Sequence, residues 1–180
     1  MIRLFDFLFS LFGIIILLPL LFLIFIISLI YDIAPIFLQK RVGRNQKIFT
    51  LVKFRTMPKN TKFLATHLID HSKITPYGYF LRRTKFDELP QLFNVLVGEM
   101  SLVGPRPCLL NQKKLIRERN KRGVFKVKPG LTGLSQISGI SMKTPTLLAK
   151  LDSKMVKNLN LYFYFFYIFK TLFLIIRKKI

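Results

Sequence analysis

The chain has 180 residues, 30 of them Lys or Arg against 8 Asp or Glu, for a formal charge of +22, and 51% of it is hydrophobic. That suits one compact domain with membrane segments, not several soluble domains. The single cysteine, Cys108, excludes an intramolecular disulfide and reads as a small buried residue in a reducing compartment. No RNP-type, zinc-finger or basic-zipper pattern accompanies the charge, so nucleic acid is not the expected partner.

Residues 4–30 carry one ionisable group, Asp6. As a helix they reach roughly 40 Å, more than the ~30 Å of a hydrocarbon core. The run is too long for a cleaved signal peptide and lacks a small-residue cleavage site. Pro19 sits mid-segment, where it removes a backbone donor and favours a kink. Arg3 flanks one end and Lys40, Arg41 and Arg44 follow the other. The residues alone favour a single span; the kink and the cations on both flanks also fit a hairpin that returns to the same face. Only Arg3 precedes Lys40, so 29 of the 30 cations follow the apolar segment. That asymmetry suits a cytoplasmic domain facing anionic membrane lipids or phosphorylated ligands.

Residues 36–57 read as strand, turn at Gly43-Arg44-Asn45, and strand. Residues 58–74 form a polar connection. Its His67 and His71, four apart with Asp70 between, could hold a metal on a helix, but no third ligand accompanies them and a polar loop is the simpler reading. Thr75-Pro76 is a helix start, capping hydroxyl then proline, with the helix ending near Arg83-Thr84. A second helix is predicted from Asp87, as N-cap, to Gly98.

Asp87 and Glu88 are adjacent acids in an acid-poor chain, just after Arg82, Arg83 and Lys85. Carboxylates beside fixed cations suit a site that binds a metal and handles phosphates. A capped helix with an ordinary salt bridge is the structural alternative. SLVGPRP (101–107) reads as a rigid turn in which two prolines restrict Arg106, which suits bidentate phosphate contact; an arginine in an ordinary proline turn is the structural alternative. Residues 111–128 are basic and helical in their first part, and 129–139 read as a turn-rich loop. The aromatic tail, 159–180, is broken by Lys170 and reads as a helix in the membrane interface, with Arg177, Lys178 and Lys179 on lipid phosphates.

Four runs, QKRVGRNQKIFTLVKFRTM, ITPYGYFLRRTKFDELPQLFNVLVGEMSLVGPRP, VKPGLTGLSQISG and LDSKMVKNLNL, follow one another along nearly the whole chain. On them the chain resembles the bacterial sugar transferases, small monotopic phosphoglycosyl transferases. DELPQLFNVLVGEMSLVGPRP is the most specific of these signatures. The resemblance implies transfer of a sugar 1-phosphate from a UDP-sugar to polyprenyl (undecaprenyl) phosphate, releasing UMP, with Mg²⁺ as cofactor. It implies Asp87 as the nucleophile of a phospho-aspartyl intermediate and Glu88 as base or metal partner. Asp87 and Glu88 are then also the metal residues, and Lys53, Arg55, Arg82 and Arg106 the phosphate-binding cations.

The implied fold is mixed α/β and mostly helical. A re-entrant membrane helix hairpin covers residues 1–35, kinked at Pro19, and replaces the single span. A cytoplasmic catalytic domain covers 36–158, and an interfacial helix with a basic tail covers 159–180. The implied location is the bacterial inner membrane, with homo-oligomers or downstream glycosyltransferases as further partners. The chain departs from the family pattern at Leu18 (often serine), at Ile140 (often arginine), and at Met155, Leu159 and Asn160, where a tyrosine, a tryptophan and a serine are lost. These changes bear on the sugar more than on the chemistry. A non-catalytic basic membrane adaptor, a catalytically decayed homologue and a membrane-tethered nucleic-acid binder are the competing readings. The adaptor would bind anionic vesicles without releasing UMP, and the nucleic-acid binder would show a steep salt dependence.

Overall fold

The computed structural model describes residues 1–31, 34–58 and 74–177. His67, Asp70 and His71 lie outside the described residues, as do Lys178 and Lys179. The fold is mixed α/β with helix predominating.

Helix α1 (Ile2–Ile30) runs through Pro19 as one assigned helix. Among the described residues it is the one helix long and apolar enough to cross a membrane. Strands β1 (Ile36–Val42) and β2 (Ile48–Phe54) form a hairpin with Phe37 opposite Lys53 and Arg41 opposite Phe49. Its turn is carried by Asn45 and Gln46, both in the left-handed region. Asparagine tolerates that region better than most residues. The turn takes in the expected Gly43-Arg44-Asn45 and runs on through Lys47.

Helix α2 (Pro76–Thr84) starts as predicted, with Thr75 Oγ1 accepting from the Gly78 amide at 2.9 Å. The second helix does not. Phe86–Glu88 form a 3-10 turn, and helix α3 begins only at Gln91 and ends at Val97. Asp87 is therefore no N-cap, because Pro90 holds that position with no side-chain cap. Gly98, at φ 89°, ends α3 in the left-handed conformation that glycine supplies without strain.

The stretch expected as a turn contains strand β3 (Ser101–Val103), followed by the two-residue β4 (Cys108–Leu109). Helix α4 (Lys113–Lys121) follows, then β5 (Gly130–Thr132), the short α5 (Leu134–Ile137), α6 (Pro145–Asn158) and α7 (Leu161–Arg177). One sheet runs β2-β1-β4, all antiparallel, and β3 pairs parallel with β5. On the edge strand β2, the Val52 amide donates to Asn94 Oδ1 and Asn94 Nδ2 donates to the Thr50 carbonyl, at 3.0 and 2.8 Å. Asn94, buried on α3, thus covers an edge that would otherwise be open.

Among the described residues, four hydrophobic clusters hold the elements together. Phe49 and Leu51 meet Val95 and Met100 between sheet and α3. Val42, Cys108, Leu115 and Leu148 join the sheet to α4 and α6. Val103 and Met155 meet Tyr164 and Tyr167 of α7. Ile24 of α1 meets Phe54 and Leu81, each burial contributing roughly 1.5–3 kcal/mol.

The two apolar terminal helices are fastened by polar contacts. Asp6 of α1 accepts from Ser101 Oγ, the Leu102 amide and Tyr164 Oη at 2.9–3.0 Å. Arg3 donates to the Val95 and Leu96 carbonyls at the C-terminal end of α3, where a cation is favoured. At the other end of α1, Tyr77 of α2 donates to the Ile24 carbonyl, and its ring stacks on Tyr31. The opposite faces of α1 and α7 expose large apolar side chains such as Phe12, Ile16, Phe22, Phe169 and Phe173.

Candidate active site

Asp87 sits at the middle of the 3-10 turn between α2 and α3. Lys85, just before that turn, adopts φ 64° without being glycine. Such left-handed residues are uncommon, and they collect at functional turns. The turn leaves Asp87 6% exposed. Asp87 accepts no hydrogen bond from the described side chains or amides; it meets charges instead. Burial pushes its carboxyl up to about 6, and the charge of Glu88 adds to this, against the pull of Lys53, Lys85 and Arg82.

Glu88 is held the opposite way. Burial would raise it, but Arg106, Lys85 and Lys53 outweigh burial and bring it down to about 2. Arg106 Nη2 donates to Glu88 Oε1 at 2.7 Å. Two adjacent carboxyls are thus driven apart, one toward neutral pH and one far below it.

The β-hairpin register supplies the lysine. Phe37 and Lys53 are opposite each other, and Lys53 Nζ lies 5.2 Å from the centre of the Phe37 ring. Burial pulls Lys53 down to about 8, with Asp87 and Glu88 raising it and Arg41 and Arg82 lowering it. Arg82 Nε donates to the buried Thr56 Oγ1 at 2.8 Å, and burial lowers its pKa while Asp87 raises it. Lys53, Arg82 and Arg106 are therefore brought together around Asp87 and Glu88.

Arg55 is placed differently. Its Nε donates to the Ala34 carbonyl at 3.1 Å and its guanidinium lies over the Phe37 ring, 5.2 Å from the centre. It fastens the segment leading into β1 and shares Phe37 with Lys53.

Arg106 is fixed from behind by residues that motif spacing does not single out. Arg119, 1% exposed, donates from Nη1 to the Arg106 carbonyl at 2.8 Å. Its Nε and Nη2 donate to Asp152 Oδ2 at 2.9 and 2.7 Å, and Ser135 Oγ donates to Asp152 Oδ1 at 3.0 Å. The Gly-Pro-Arg-Pro turn, the loop expected at 129–139 and α6 thus meet at one buried ion pair. The backbones approach so closely here that a Cβ on Gly130 would fall 2.0 Å from the Gly104 amide nitrogen. Of the departures noted in the sequence, Leu18 lies in α1, and Ile140, Met155 and Leu159 pack in the clusters nearby. Met155 Sδ accepts from the Leu134 amide at 3.1 Å inside the α7 core, and Ile140 rests against the Val42–Cys108 cluster.

Among the described residues no three His, Cys, Asp or Glu side chains converge on a metal position. Two adjacent carboxylates without histidine or thiolate suit Mg²⁺, which is usually held by one or two carboxylates with water and phosphate completing the shell. They do not suit zinc.

The chain matches the bacterial sugar transferases over residues 1–178. It is 41% identical to an uncharacterized sugar transferase of Bacillus subtilis over 146 residues, covering 81% of this chain and 70% of that one. It is 37% identical to a UDP-galactose-lipid carrier transferase of Erwinia amylovora over 163 residues, 81% of this chain and 34% of the other. It is 42% identical to a UDP-glucose:undecaprenyl-phosphate glucose-1-phosphate transferase of Escherichia coli over 116 residues, 62% of this chain and 25% of the other. The chain thus spans about a third or less of most relatives it matches. The match takes in the Asp87–Glu88 turn, the Lys53 hairpin and the Arg106 turn alike, and the chain belongs to the bacterial sugar transferase family.

Proposed function

We propose that the protein is a phosphoglycosyl transferase that moves a sugar 1-phosphate from a UDP-sugar to polyprenyl phosphate. The observation that carries the reading is Asp87: a buried carboxylate without a donor among the described residues, ringed by Lys53, Arg82 and Lys85. Cations suit an anionic nucleophile that must approach an anionic diphosphate. The printed names of the relatives, which include a galactose and a glucose carrier, favour this substrate class.

In the first displacement an Asp87 oxygen attacks the sugar-bearing phosphorus. The bond to the bridging oxygen breaks, and UMP leaves with the electron pair. In the second, a phosphate oxygen of polyprenyl phosphate attacks the acyl phosphate, and Asp87 departs as carboxylate. This splits one difficult step into two, as covalent catalysis does. Glu88, held near 2, is too weak a base to remove a proton near neutrality. Its part is to orient Arg106. The acceptor needs no base, since a phosphate monoester with a second pKa near 6 is largely dianionic at neutral pH. Asp87 and Glu88 are the residues that would hold Mg²⁺, which when bound neutralises diphosphate charge.

The membrane placement is part of the proposal. Arg3 and Asp6 bind the body at one end of α1, and Ile24 and Tyr31 meet it at the other. Contacts at both ends with one folded body favour a helix that dips into one leaflet and returns, bent at Pro19, over a straight crossing. The exposed apolar faces of α1 and α7 would lie in lipid, with the cationic site on the cytoplasmic face of the inner membrane.

The test is UMP release by reconstituted protein with a panel of UDP-sugars, undecaprenyl phosphate and Mg²⁺, with Asp87→Asn alongside. Release that needs Asp87 supports the reading and names the donor. Release unchanged in Asp87→Asn would refute it.

A further inference from the structure

Among the described residues, Arg41 Nε is the one buried side-chain nitrogen or oxygen atom without a hydrogen-bond partner. The rest of that guanidinium is well used. Its Nη1 donates to the Pro107 carbonyl at 3.0 Å and its Nη2 to Gln39 Oε1 at 2.6 Å. These two bonds lock the side chain. They also leave the Nε–H donor in a fixed position with nothing to accept from it. A buried donor left unsatisfied costs about 1–3 kcal/mol, so native structures retain few of them without a reason.

The position in the sheet supplies the reason. Side chains two apart on a strand share a face, so Phe37, Gln39 and Arg41 of β1 lie on one face with Lys53, opposite Phe37. Phe49 and Leu51 lie on that face too and meet α3, so it is the face turned toward the Asp87–Glu88 turn. The charges of Arg106, Lys53 and Glu88 all act on Arg41. Arg41, Lys53, Arg82, Lys85 and Arg106 are five cations against two carboxylates. An anion that joins them relieves the repulsion of this excess. Pro107, which Arg41 grips, directly follows Arg106, which Glu88 grips. Arg41 is therefore tied to the turn that carries Arg106.

We propose that Arg41 is a further phosphate-binding residue of this site, donating from Nε to an oxygen of a bound phosphate or diphosphate. This rests on the phosphoglycosyl transfer reading. A purely structural Arg41 needs only its two Nη bonds and gives no account of the buried Nε–H. The phosphate has two sources, the diphosphate of the sugar donor and the phosphate of the polyprenyl acceptor.

Inorganic pyrophosphate binding to the full-length protein in detergent, followed by calorimetry, tests the idea without turnover. Wild type should bind, Arg106→Ala should bind weakly, and Arg41→Met should lose about tenfold in affinity, as expected for one charge-assisted hydrogen bond. Arg41→Lys keeps the charge but lacks the planar fork, so it should fold and bind between the two. It keeps the test open should Arg41→Met fail to fold. In turnover, a raised KM for the UDP-sugar assigns Arg41 to the donor, and a raised KM for undecaprenyl phosphate assigns it to the acceptor. Pyrophosphate binding that is strong in wild type and equally strong in the folded Arg41 variants overturns this assignment alone. A wild type that binds no pyrophosphate removes the phosphate site itself, and the wider reading with it.

Discussion

Two buried aspartates divide this molecule into a part that is built and a part that reacts. Asp6, 2% exposed, accepts three hydrogen bonds, from Ser101, Leu102 and Tyr164. Asp87, 6% exposed, accepts none from the described residues and is stabilised only by surrounding charge. Lone pairs engaged by fixed donors are poor nucleophiles and good fasteners. A carboxylate held by through-space charge keeps its lone pairs for an incoming phosphorus. The Asp6 carboxylate secures an apolar helix to the body, and the Asp87 carboxylate is left available at the site.

The largest effect expected from breaking this contrast is on turnover. Asp87→Asn should lower UMP release at least about 10³-fold, measured with the folded, membrane-inserted variant. The same change should raise stability near neutral pH. Burial holds the folded carboxyl up at about 6, above its ordinary 3.8, so ionising it opposes folding. The penalty is absent below 3.8, grows as pH rises and is complete above 6, on the order of 3 kcal/mol. Thermal melts of both proteins from pH 4 to 8 should therefore diverge as pH rises. Glu88 has the reverse sign: its stabilisation is complete above 4.5 and lost as pH falls toward 2.

Next in size is the ion pair behind Arg106. Asp152→Ala leaves the buried Arg119 uncompensated and should cost about 3–5 kcal/mol in unfolding experiments. Arg119→Met combined with Asp152→Leu should recover much of that stability. It should still turn over slowly, because the Arg106 carbonyl has lost its donor.

Asp6→Ala should cost on the order of 3 kcal/mol, since three donors lose their acceptor. Activity per folded molecule should stay within about twofold of wild type. A large loss of turnover at full folding would erase the contrast with Asp87.

The smallest effect is a pH profile. With Asp87 near 6 and Lys53 near 8, kcat/KM should be bell-shaped, falling below about 6 and above about 8. Lys53→Arg should move the alkaline limb upward and leave the acid limb in place.

Much of this was legible in the sequence, and the failures have physical causes. The apolar segment, the Thr75-Pro76 helix start, the Gly98 stop and the DELPQ and GPRP signatures are local, and local chemistry fixes them. Asp87 as N-cap was wrong because Pro90 can itself open a helix, which leaves the Asp87 segment as a separate 3-10 turn. The sequence places the hairpin turn where it lies, but it assigns no pairing to the strands, so Arg41 is not put on the face of Lys53. Ser135 and Asp152 lie inside two of the resembling runs, and Arg119 in none, but nothing local tied the three together. They lie 16 to 33 residues apart in pairs, and only the folded loops bring them behind Arg106.

The central claim is that Asp87 becomes covalently loaded. Wild-type protein should be incubated with its UDP-sugar and no polyprenyl phosphate, then analysed by intact and peptide mass spectrometry. The account predicts one equivalent of UMP released and a sugar phosphate attached to the peptide containing Asp87, with neither in Asp87→Asn. UMP that forms only when the acceptor is present, with no adduct on wild type, would contradict it and point to direct displacement by the lipid phosphate.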